Sequence, residues 1–448
     1  IQITDPLGNE TRIGTDNAGR ATSHTNPLGH TGTQTWTGLD QPKTSVAPLG
    51  GITRYDYDGA HRLSRVTDPL GHAVESYAYG AHDRLTARTD ALGKSDTYTY
   101  DAMLRPASVT DREGRETRYR YDQAGRVTGI ERPDGSEQMR YDAVGRLIAV
   151  ESASGSVQYT YDTADRLVEE IQTHHGSTWR IAYTYDALDR RRTRTINGTA
   201  ETAYTWDNAG RLASISFQGD TTRYAWDAAG RLTQKTLPNG ITQNHGYDEA
   251  DRLTDIAYRQ PDGSLIERIA YSYDAAGQRI ARSINGPASP ETPIAATYDV
   301  ANRMTTLTLY PGEAGQKSYS LSYDDNGNLT DKTNQADPAD RTRYTWNARG
   351  ELSAIDGPNL TASFAYDPLG RRTERTINST TTRYVYDGIQ AIAETDSGGN
   401  ISAHLLTGLA VDEAIARYTT AAHAAGAQVR VFLTDALGSV VALARGDR

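Results

Sequence analysis

The chain has 448 residues and a net charge of −10, a length that corresponds to two to four ordinary domains or to one large repetitive one. So small a charge per residue argues against a general affinity for nucleic acid or for an anionic membrane. The absence of cysteine excludes disulfides and thiolate metal sites, and the sequence lacks the apolar stretch of about 18 residues that a membrane-spanning helix needs.

The chain is poor in large aliphatic residues. Leu, Ile, Val and Phe together number 72, about 16% of all residues, whereas Tyr alone numbers 28. Chains with less than about 20% of these four residues are usually disordered when they are also highly charged. The composition therefore leaves two alternatives, a disordered polar chain or a fold in which Tyr replaces Leu and Phe. The positions of the tyrosines decide between them.

An aromatic residue, almost always followed by Asp, recurs with a mean period of about 22 residues. We call it the anchor. Degenerate copies in residues 1–50 fall on the same grid, at Thr15–Arg20 and from Trp36 onwards. Such regularity indicates one array of structural repeats. The anchors are Tyr57, Tyr79, Tyr100, Tyr121, Tyr141, Tyr161, Tyr185, Trp206, Trp226, Tyr247, Tyr273, Tyr298, Tyr323, Trp346, Tyr366 and Tyr386.

Twelve units carry a second aromatic residue two positions before the anchor. A spacing of two places both rings on one face of a β-strand, whereas a helix would separate them. The intervening Thr, Ala, Ser, Arg and Val residues suit a half-buried strand. The second aromatic residues are Tyr55, Tyr77, Tyr98, Tyr119, Tyr159, Tyr183, Tyr204, Tyr224, Tyr271, Tyr344, Phe364 and Tyr384.

A turn is predicted after each anchor. The fourth residue after the anchor, over the 15 units from Tyr57 to Tyr366, is Gly eight times, Asp four times and Asn once, the exceptions being His61 and Leu104. Gly, Asn and Asp tolerate a left-handed backbone, so a type I turn closed by a left-handed residue is expected. The Asp after the anchor can accept backbone N–H bonds in such a turn.

A second turn lies half a period further on, in segments such as TDPLGH and TDREGR, so each unit reads strand, turn, strand, turn. The apolar residues of the second strand are three apart rather than two, which leaves a β-bulge or partial cover on both faces as alternatives. Such pairs are Leu63 and Val66, Leu212 and Ile215, Leu253 and Ile256, and Leu352 and Ile355.

The repeats lengthen between about 247 and 323, where Pro287, Pro290 and Pro293 argue against regular sheet. We expect longer surface hairpins there. No linker separates two compositions, which favours one continuous array.

The recurring aromatic-Asp-x-x-Gly-Arg-Leu pattern resembles the YD-repeat, or Rhs, family, whose members include bacterial Rhs toxins, C components of insecticidal toxin complexes and teneurins. The segments YVYDGIQAIAETDSGGN, GLAVDEAIARY and FLTDALGSVVALA resemble the lead-in to the family's Rhs-associated core. We therefore expect a YD/Rhs array over 1–382, with degenerate copies over 1–50, and the last repeat with a truncated lead-in over 383–448.

The resemblance implies an all-β fold, in which a long antiparallel sheet of hairpin repeats spirals into a hollow, cocoon-like shell. In bacterial members the shell encloses a C-terminal toxic polypeptide, and the core often contains an aspartyl self-cleavage site. The chain starts at Ile1 and ends at Arg448, where the core begins. It is therefore expected to be a fragment that neither cleaves itself nor is toxic.

The size of the array supports a shell independently. About 17 units of two strands give roughly 34 strands, or about 160 Å of sheet at about 4.8 Å per strand. Twisted open sheets rarely exceed about 10 strands without curling. A single closed turn with a radius of about 25 Å would enclose a cavity, unless the array coils more tightly into several turns. A thin wall of one layer would need few aliphatic residues.

No catalytic, cofactor-binding or metal-ligating residue is predicted. The recurring Asp and Arg are interpreted as turn caps and cross-strand pairs, and Ser439 as a structural serine. His174 and His175 are expected in a solvated loop, Tyr323–Asn328 in a repeat turn rather than a calcium loop, and Arg445–Asp447 as a chance match to an adhesion tripeptide.

The favoured function is a non-enzymatic structural shell of a secreted or delivered toxin. Its expected partners are a C-terminal toxin cargo, absent from this chain, and a delivery or secretion apparatus, without nucleic acid, cofactor or membrane span. The location is secreted or cell surface. The alternative is a cell-surface adhesin or carbohydrate-binding array that uses exposed aromatic rows to bind glycans, and the third possibility is an enzyme.

Overall fold

The computed structural model describes residues 1–284, 294–410, 413–420 and 428–445. This part of the chain consists of β-strands and turns, apart from one short 3₁₀ turn at Ala81–Asp83. None of its helices is long and apolar enough to cross a membrane. The prolines expected to interrupt the sheet near residue 290, and most of the Arg445–Asp447 tripeptide, lie outside the described residues.

The expected all-β architecture is confirmed, and the described part contains 41 strands rather than about 34. The additional strands arise because the degenerate copies in residues 1–50 and the residues after Tyr386 also form hairpins. In chain order the strands are β1 (Gln2–Thr4), β2 (Glu10–Thr15), β3 (Ala21–Thr25), β4 (Thr31–Trp36), β5 (Pro42–Val46), β6 (Ile52–Tyr57), β7 (Leu63–Thr67), β8 (Ala73–Tyr79), β9 (Leu85–Asp90), β10 (Ser95–Tyr100), β11 (Pro106–Thr110), β12 (Glu116–Tyr121), β13 (Val127–Arg132), β14 (Gly135–Tyr141), β15 (Leu147–Ser152), β16 (Gly155–Tyr161), β17 (Leu167–His174), β18 (Ser177–Tyr185), β19 (Arg191–Ile196), β20 (Thr199–Trp206), β21 (Leu212–Phe217), β22 (Asp220–Trp226), β23 (Leu232–Thr236), β24 (Thr242–Tyr247), β25 (Leu253–Arg259), β26 (Leu265–Tyr273), β27 (Arg279–Ile284), β28 (Ile294–Tyr298), β29 (Met304–Leu309), β30 (Lys317–Tyr323), β31 (Leu329–Asn334), β32 (Arg341–Trp346), β33 (Leu352–Gly357), β34 (Leu360–Tyr366), β35 (Arg372–Ile377), β36 (Thr380–Asp387), β37 (Gln390–Thr395), β38 (Ile401–Thr407), β39 (Ala414–Thr419), β40 (Gln428–Thr434) and β41 (Val440–Arg445).

The residues form two compact units. Unit 1 comprises Ile1–Asp134, Tyr273–Ile280 and Pro290–Asn359. Unit 2 comprises Gly135–Ser272, Ala281–Ser289 and Leu360–Arg448. Unit 1 thus contains β1–β13 and β28–β33, and unit 2 contains β14–β25 and β34–β41, while β26 and β27 cross the divisions.

Strands that follow one another along the chain pair antiparallel, and each anchor hairpin contains a β-bulge. In the pair of β6 and β7, Tyr57 lies opposite Leu63 and Tyr55 lies opposite Val66, with a register shift between them. The same shift separates Leu212 from the residues that follow it in β21. The bulge alternative is therefore confirmed, because one extra residue returns the second apolar side chain to the face of the aromatic residues.

The two faces of the sheet differ in chemistry. On β12, Thr117, Tyr119 and Tyr121 are half-buried on one face, whereas Arg118 and Arg120 are exposed on the other. We call the first the aromatic face, defined by the anchors, the alternate residues that precede them and their cross-strand partners. The opposite face is called the hydroxyl face, for the Thr and Ser pairs described below. The alternation confirms that the aromatic residues of a repeat share one face.

Unit 2 has a core between strands of two sheets, since β18 belongs to the 27-stranded sheet and β36 and β37 belong to the 14-stranded sheet. On the aromatic face of β18, Trp179, Ile181 and Tyr183 are buried against Val385 and Ile392 of β36 and β37. Burial of each large apolar side chain contributes about 1.5–3 kcal/mol. The expectation of a wall one layer thick is therefore wrong for this unit, because its C-terminal strands cover the aromatic face of earlier ones.

Unit 1 is joined differently, through turns. Lys94 lies in the half-period turn that follows β9. It pairs at 2.6 Å with Asp325, which lies in the anchor turn that follows β30. In the half-period turn that follows β11, Asp111 accepts a hydrogen bond from the Asn326 side chain at 2.8 Å. These contacts connect residues more than 200 positions apart in the sequence. They therefore fix how strands β1–β13 and β28–β33 of unit 1 meet.

Candidate functional site

The anchor turn is built around its aspartate. Asp58 Oδ1 accepts hydrogen bonds from the backbone N–H groups of Ala60 and Arg62, both at 2.9 Å. Its Oδ2 accepts a bond from Nε of Arg62 at 2.8 Å. This bond from Arg62 holds the pKa of the Asp58 carboxyl below its ordinary value. The predicted role of the aspartate as a turn cap is confirmed here.

The fourth residue after the anchor has the predicted left-handed backbone even where it is not Gly, Asn or Asp. The φ angles are 62° at His61, 61° at Leu104 and 81° at Gly125. Because a left-handed backbone costs a residue with a side chain about 1–2 kcal/mol, the hairpin geometry overrides local preference at His61 and Leu104. The YDDNGN segment closes in the same way, by a hydrogen bond from Gly327 N to Asp324 O, which confirms a repeat turn there.

Successive repeats are coupled through the arginine that ends the turn. The guanidinium of Arg62 lies over the ring of Tyr79, the next anchor, at 4.6 Å from the ring centre. Such contacts contribute about 0.5–1 kcal/mol at exposed sites. Its Nη1 also pairs with Asp83 at 2.8 Å. The same stacking joins Arg20 to Trp36, Arg84 to Tyr100, Arg105 to Tyr121, Arg146 to Tyr161, Arg166 to Tyr185, Arg190 to Trp206, Arg211 to Trp226, Arg231 to Tyr247, Arg303 to Tyr323 and Arg371 to Tyr386.

A second coupling explains why the anchors are Tyr or Trp. The hydroxyl of Tyr79 donates to the backbone oxygen of Leu63 at 2.8 Å. Nε1 of Trp226 donates to the equivalent oxygen of Leu212 at 2.8 Å. Phe has no such donor, and none of the three Phe residues is an anchor. Equivalent bonds link Trp36 to Ala21, Tyr57 to Pro42, Tyr100 to Leu85, Tyr121 to Pro106, Tyr161 to Leu147, Tyr185 to Leu167, Trp206 to Arg191, Tyr247 to Leu232, Tyr323 to Met304, Trp346 to Leu329 and Tyr386 to Arg372.

The hydroxyl face carries cross-strand pairs that satisfy each other. Arg120 pairs with Glu131 at 2.5 Å and Arg140 with Glu151 at 2.6 Å. Such exposed pairs contribute under about 1 kcal/mol each. Hydroxyl pairs on this face are Thr25 with Thr31, Thr35 with Thr44, Thr89 with Ser95, Thr99 with Ser108, Thr184 with Thr193 and Thr205 with Ser214.

A buried network of charges on the aromatic face of β17 and β19 occurs once among the described residues. Glu170 of β17 accepts a hydrogen bond at 2.8 Å from Nη1 of Arg371, in the anchor turn after β34. Nε of Arg371 also donates to Asp367 at 2.7 Å. All three side chains are nearly inaccessible to solvent. Removal of one partner from a buried pair of this kind strongly destabilises the protein, because the other charge stays buried without compensation.

Asp387, at the end of β36, extends the network to β18 and β19. Its carboxylate pairs with Arg191 at 2.5 Å and with Arg194 at 3.3 Å. It also accepts a hydrogen bond from the Tyr183 hydroxyl at 2.9 Å. Together with Glu170, Asp367 and Arg371, these residues give three carboxylates and three guanidinium groups. The network is therefore electrically balanced although it is buried.

The pKa values of Glu170 and Asp387 are shifted in opposite directions. Burial raises the pKa of Glu170 above its ordinary value, and the attraction of Arg371 opposes that shift only in part. Burial also acts to raise the pKa of Asp387, but Arg191 and Arg194 outweigh it and hold that pKa below its ordinary value. The network is thus neutral as a whole, although the effect of burial prevails at Glu170 and the effect of the arginines prevails at Asp387.

Backbone and side-chain contacts hold the C-terminal segment, which comprises strands β34–β41, against the same face. Nε2 of Gln172 donates to the backbone oxygen of Tyr386 at 2.6 Å, and the backbone N–H of Tyr386 donates to Oε1 of Gln172 at 3.0 Å. Further along, Lys235 pairs with Glu413 at 2.6 Å. Tyr258 donates to the backbone oxygen of Thr434 at 2.8 Å. The aromatic face of β17–β25 is thus contacted by three successive parts of the C-terminal segment, at Tyr386, Glu413 and Thr434.

The structure corrects the expectation for the histidine pair. His174 ends β17 and is buried, with its ring tilted against that of Trp179 at 4.6 Å between ring centres. Burial lowers its pKa to about 3. His175 is half-buried, with Nε2 3.1 Å from the Thr373 hydroxyl. The solvated-loop prediction is wrong because the C-terminal segment covers this hairpin. Within the described residues, no three His, Asp or Glu side chains are grouped as metal ligands.

Ser439 lies in a turn, where its backbone N–H donates to Asp435 at 3.1 Å, as a structural serine would. The charge network was missed from the sequence, although a signal for it existed. Glu170 and Lys235 stand three residues after the first Leu of their strands, where Val66 and Ile215 are apolar. A charge at a position that is apolar elsewhere in the array marks a site with a buried partner.

Comparison with known proteins supports the reading of the repeats. The family described as RHS Repeat matches residues 36–73, 79–106 and 104–137, and the family described as Teneurin YD-shell matches residues 138–333. The tRNA nuclease WapA of Bacillus subtilis (strain 168) is 31% identical over 146 residues, which cover 32% of this chain and 5% of WapA. The chain thus spans about one twentieth of the length of the curated relatives it matches.

Solved structures share the fold over nearly the whole chain. The crystal structure of TcdB2-TccC3 matches with a TM-score of 0.69 and 15% identity, over 99% of this chain and 30% of that one. The Photorhabdus luminescens Tc holotoxin pore matches with a TM-score of 0.67 and 15% identity, over 98% of this chain and 29% of that one. Together the two repeat families match most of residues 36–333, and this chain belongs to the YD/Rhs-repeat proteins.

Proposed function

We propose that this chain is part of the wall of a YD/Rhs shell that encloses a polypeptide cargo belonging to a secreted or delivered toxin. The observation that carries the proposal is the likeness of the fold, over 99% of the chain, to TcdB2-TccC3. A related structure is titled as TcdB2-TccC3 without its hypervariable C-terminal region. The cargo, the delivery apparatus and the location outside the producing cell are parts of this proposal.

The proposed role is structural rather than catalytic. Many polar features of the described residues recur from repeat to repeat, where they cap turns or couple one repeat to the next. The exceptional charges of unit 2 are paired with one another, as Asp387 is with Arg191 and Arg194. Nuclease activity is a property named for WapA, of which the chain matches 5%, and it is not part of the proposal.

Glycan binding by exposed aromatic rows, the alternative, is less well supported. The ring of each coupled anchor has the guanidinium of the preceding repeat over one side, as Arg105 lies over Tyr121 at 4.3 Å. Its polar tip is also engaged, since the Tyr121 hydroxyl donates to Pro106 O at 2.8 Å. A sugar would have to compete with both contacts to stack on that side of the ring.

Protease protection tests the proposed function. The full-length product that contains this chain is treated with a non-specific protease, first under native conditions and then after unfolding in urea. Enclosure predicts that the cargo segment survives the native digestion and is degraded after unfolding. Degradation of that segment at the same rate in both conditions, while the repeats stay intact under native conditions, would contradict the proposal.

A further inference from the structure

The aromatic face already binds polypeptide within unit 2. On β18, Trp179, Ile181 and Tyr183 pack against Val385 and Ile392. These residues of β18 lie on the same face as its anchor. The segment that they bind supplies two kinds of side chain, apolar ones in the core and acidic ones in the charge network.

The acidic contacts follow the same face along the sheet. Asp387 is held by Arg191 and Arg194, which lie opposite Tyr185 and Tyr183 in the pair of β18 and β19. Each arginine is therefore a cross-strand partner of an aromatic residue. Lys235 lies opposite Tyr224 in the same way and binds Glu413.

In the described strands before β34, the hydroxyl face offers no comparable groups to a polypeptide, whereas in β36 that face carries Val385 and Asp387, which contact the aromatic face. Its charges and hydroxyls pair across strands, as Arg140 does with Glu151 and Thr99 with Ser108. Groups that already satisfy each other gain little from a new partner, since binding them requires the loss of the existing contact.

From this difference we infer that the aromatic face is the inner face of the shell, and that it binds the enclosed polypeptide through apolar and acidic side chains, as it binds the C-terminal segment in unit 2. The inference rests on the proposed function and adds the orientation of the sheet and the chemistry of the cargo contact. It extends to unit 1 by continuity, because Thr117, Tyr119 and Tyr121 lie half-buried on the same face there.

The absence of cysteine allows a direct test. Thr117→Cys on the aromatic face of β12 and Thr97→Cys on the hydroxyl face of β10 are matched substitutions in unit 1, in strands separated by β11. Each variant of the whole chain is labelled with an environment-sensitive fluorophore. It is then titrated with reduced, carboxymethylated α-lactalbumin, an unfolded acidic polypeptide, and with a Gly-Ser polypeptide of equal length.

The inference predicts a saturable change in emission at position 117 that is several-fold larger than at position 97, and several-fold weaker with the Gly-Ser polypeptide. An equal or larger response at position 97, or no response at either, would overturn it. Thr342→Cys and Thr345→Cys, on the two faces of β32, repeat the test if the first variants fold poorly. A response at 117 without protease protection of the cargo would refute enclosure but keep the face assignment. Protection without that response would refute the face assignment alone.

Discussion

Glu170 and Arg371 lie 201 residues apart in the sequence and share a hydrogen bond of 2.8 Å in the interior of unit 2. Glu170 belongs to the aromatic face of β17, and Arg371 closes the anchor turn that follows β34. An arginine that elsewhere caps its own turn and stacks on the next anchor here also joins strands of the two sheets. The repeat thus supplies the parts for a contact that the repeat itself does not require.

Replacement of Arg371 by Met should lower the free energy of unfolding by about 3–5 kcal/mol, because it leaves Glu170 and Asp367 buried without their common partner. Urea unfolding followed by circular dichroism measures the change. Arg140→Met is the control in the same unit, since its pair with Glu151 is exposed and should contribute less than about 1 kcal/mol. Equal losses for the two variants would contradict the account of the network.

The substitution Glu170→Gln should become relatively more favourable as the pH rises. The folded pKa of Glu170 is raised, so its contribution to stability is fully present below the unfolded pKa, about 4.3, and is lost as the pH rises through the folded pKa. The difference in unfolding free energy between variant and wild type should therefore shift in favour of the variant as the pH rises above about 4.3. A shift in the other direction would show that Arg371 outweighs burial at this site.

Loss of one anchor hydroxyl should be measurable. Tyr121→Phe removes the bond to Pro106 O and leaves that oxygen without its donor, at a cost of about 0.5–1.5 kcal/mol. Tyr119→Phe, two residues earlier on the same face, is the control, because within the described residues its hydroxyl makes no hydrogen bond. Chemical denaturation of both variants tests the coupling, and a larger loss for Tyr119→Phe would be inconsistent with it.

The left-handed residue of the anchor turn offers a stabilising change. Leu104, with φ of 61°, is strained by about 1–2 kcal/mol relative to Gly, whereas Gly loses about 0.5–1 kcal/mol more through chain entropy. Leu104→Gly should therefore raise stability by about 0.5–1 kcal/mol, seen as a higher urea midpoint. Ala102→Gly, in the same turn but without a left-handed φ, should lower it slightly, and stabilisation by both variants would refute the explanation from φ.

Local structure was largely predictable from the sequence. The period, the antiparallel hairpins, the shared face of Tyr55 and Tyr57, and the left-handed turns at Gly, Asn and Asp were all expected, because each depends on residues close in the chain. His61 and Leu104, the exceptions in the sequence pattern, are left-handed as well. The spacing of Leu63 and Val66 left a bulge as one of two alternatives, and the pairing of both residues with aromatic partners decides for it.

The contacts between distant segments were not predictable in the same way. The burial of His174 depends on a segment about 200 residues later, and every repeat has nearly the same sequence pattern with which to pair. The register of two such segments is fixed by departures from the pattern, such as Glu170 and Lys235 at positions that are elsewhere apolar. These departures are visible in the sequence, but their partners are not.

The division of the sequence into an array over 1–382 and a lead-in over 383–448 stays a prediction, as does the lack of catalytic, cofactor and metal residues. The low aliphatic content follows from the way in which the sheet is stabilised. The anchors stabilise the sheet through Arg stacking and hydrogen bonds to the preceding repeat, and aliphatic residues concentrate where unit 2 packs on itself, as at Ile181 and Ile392.

Cryo-electron microscopy of the full-length product that contains this chain tests the central claim most directly. The account predicts a closed wall of YD/Rhs hairpins around a lumen, with density for polypeptide against the aromatic face. A wall without a lumen, or a lumen in which polypeptide contacts the hydroxyl face, would contradict it.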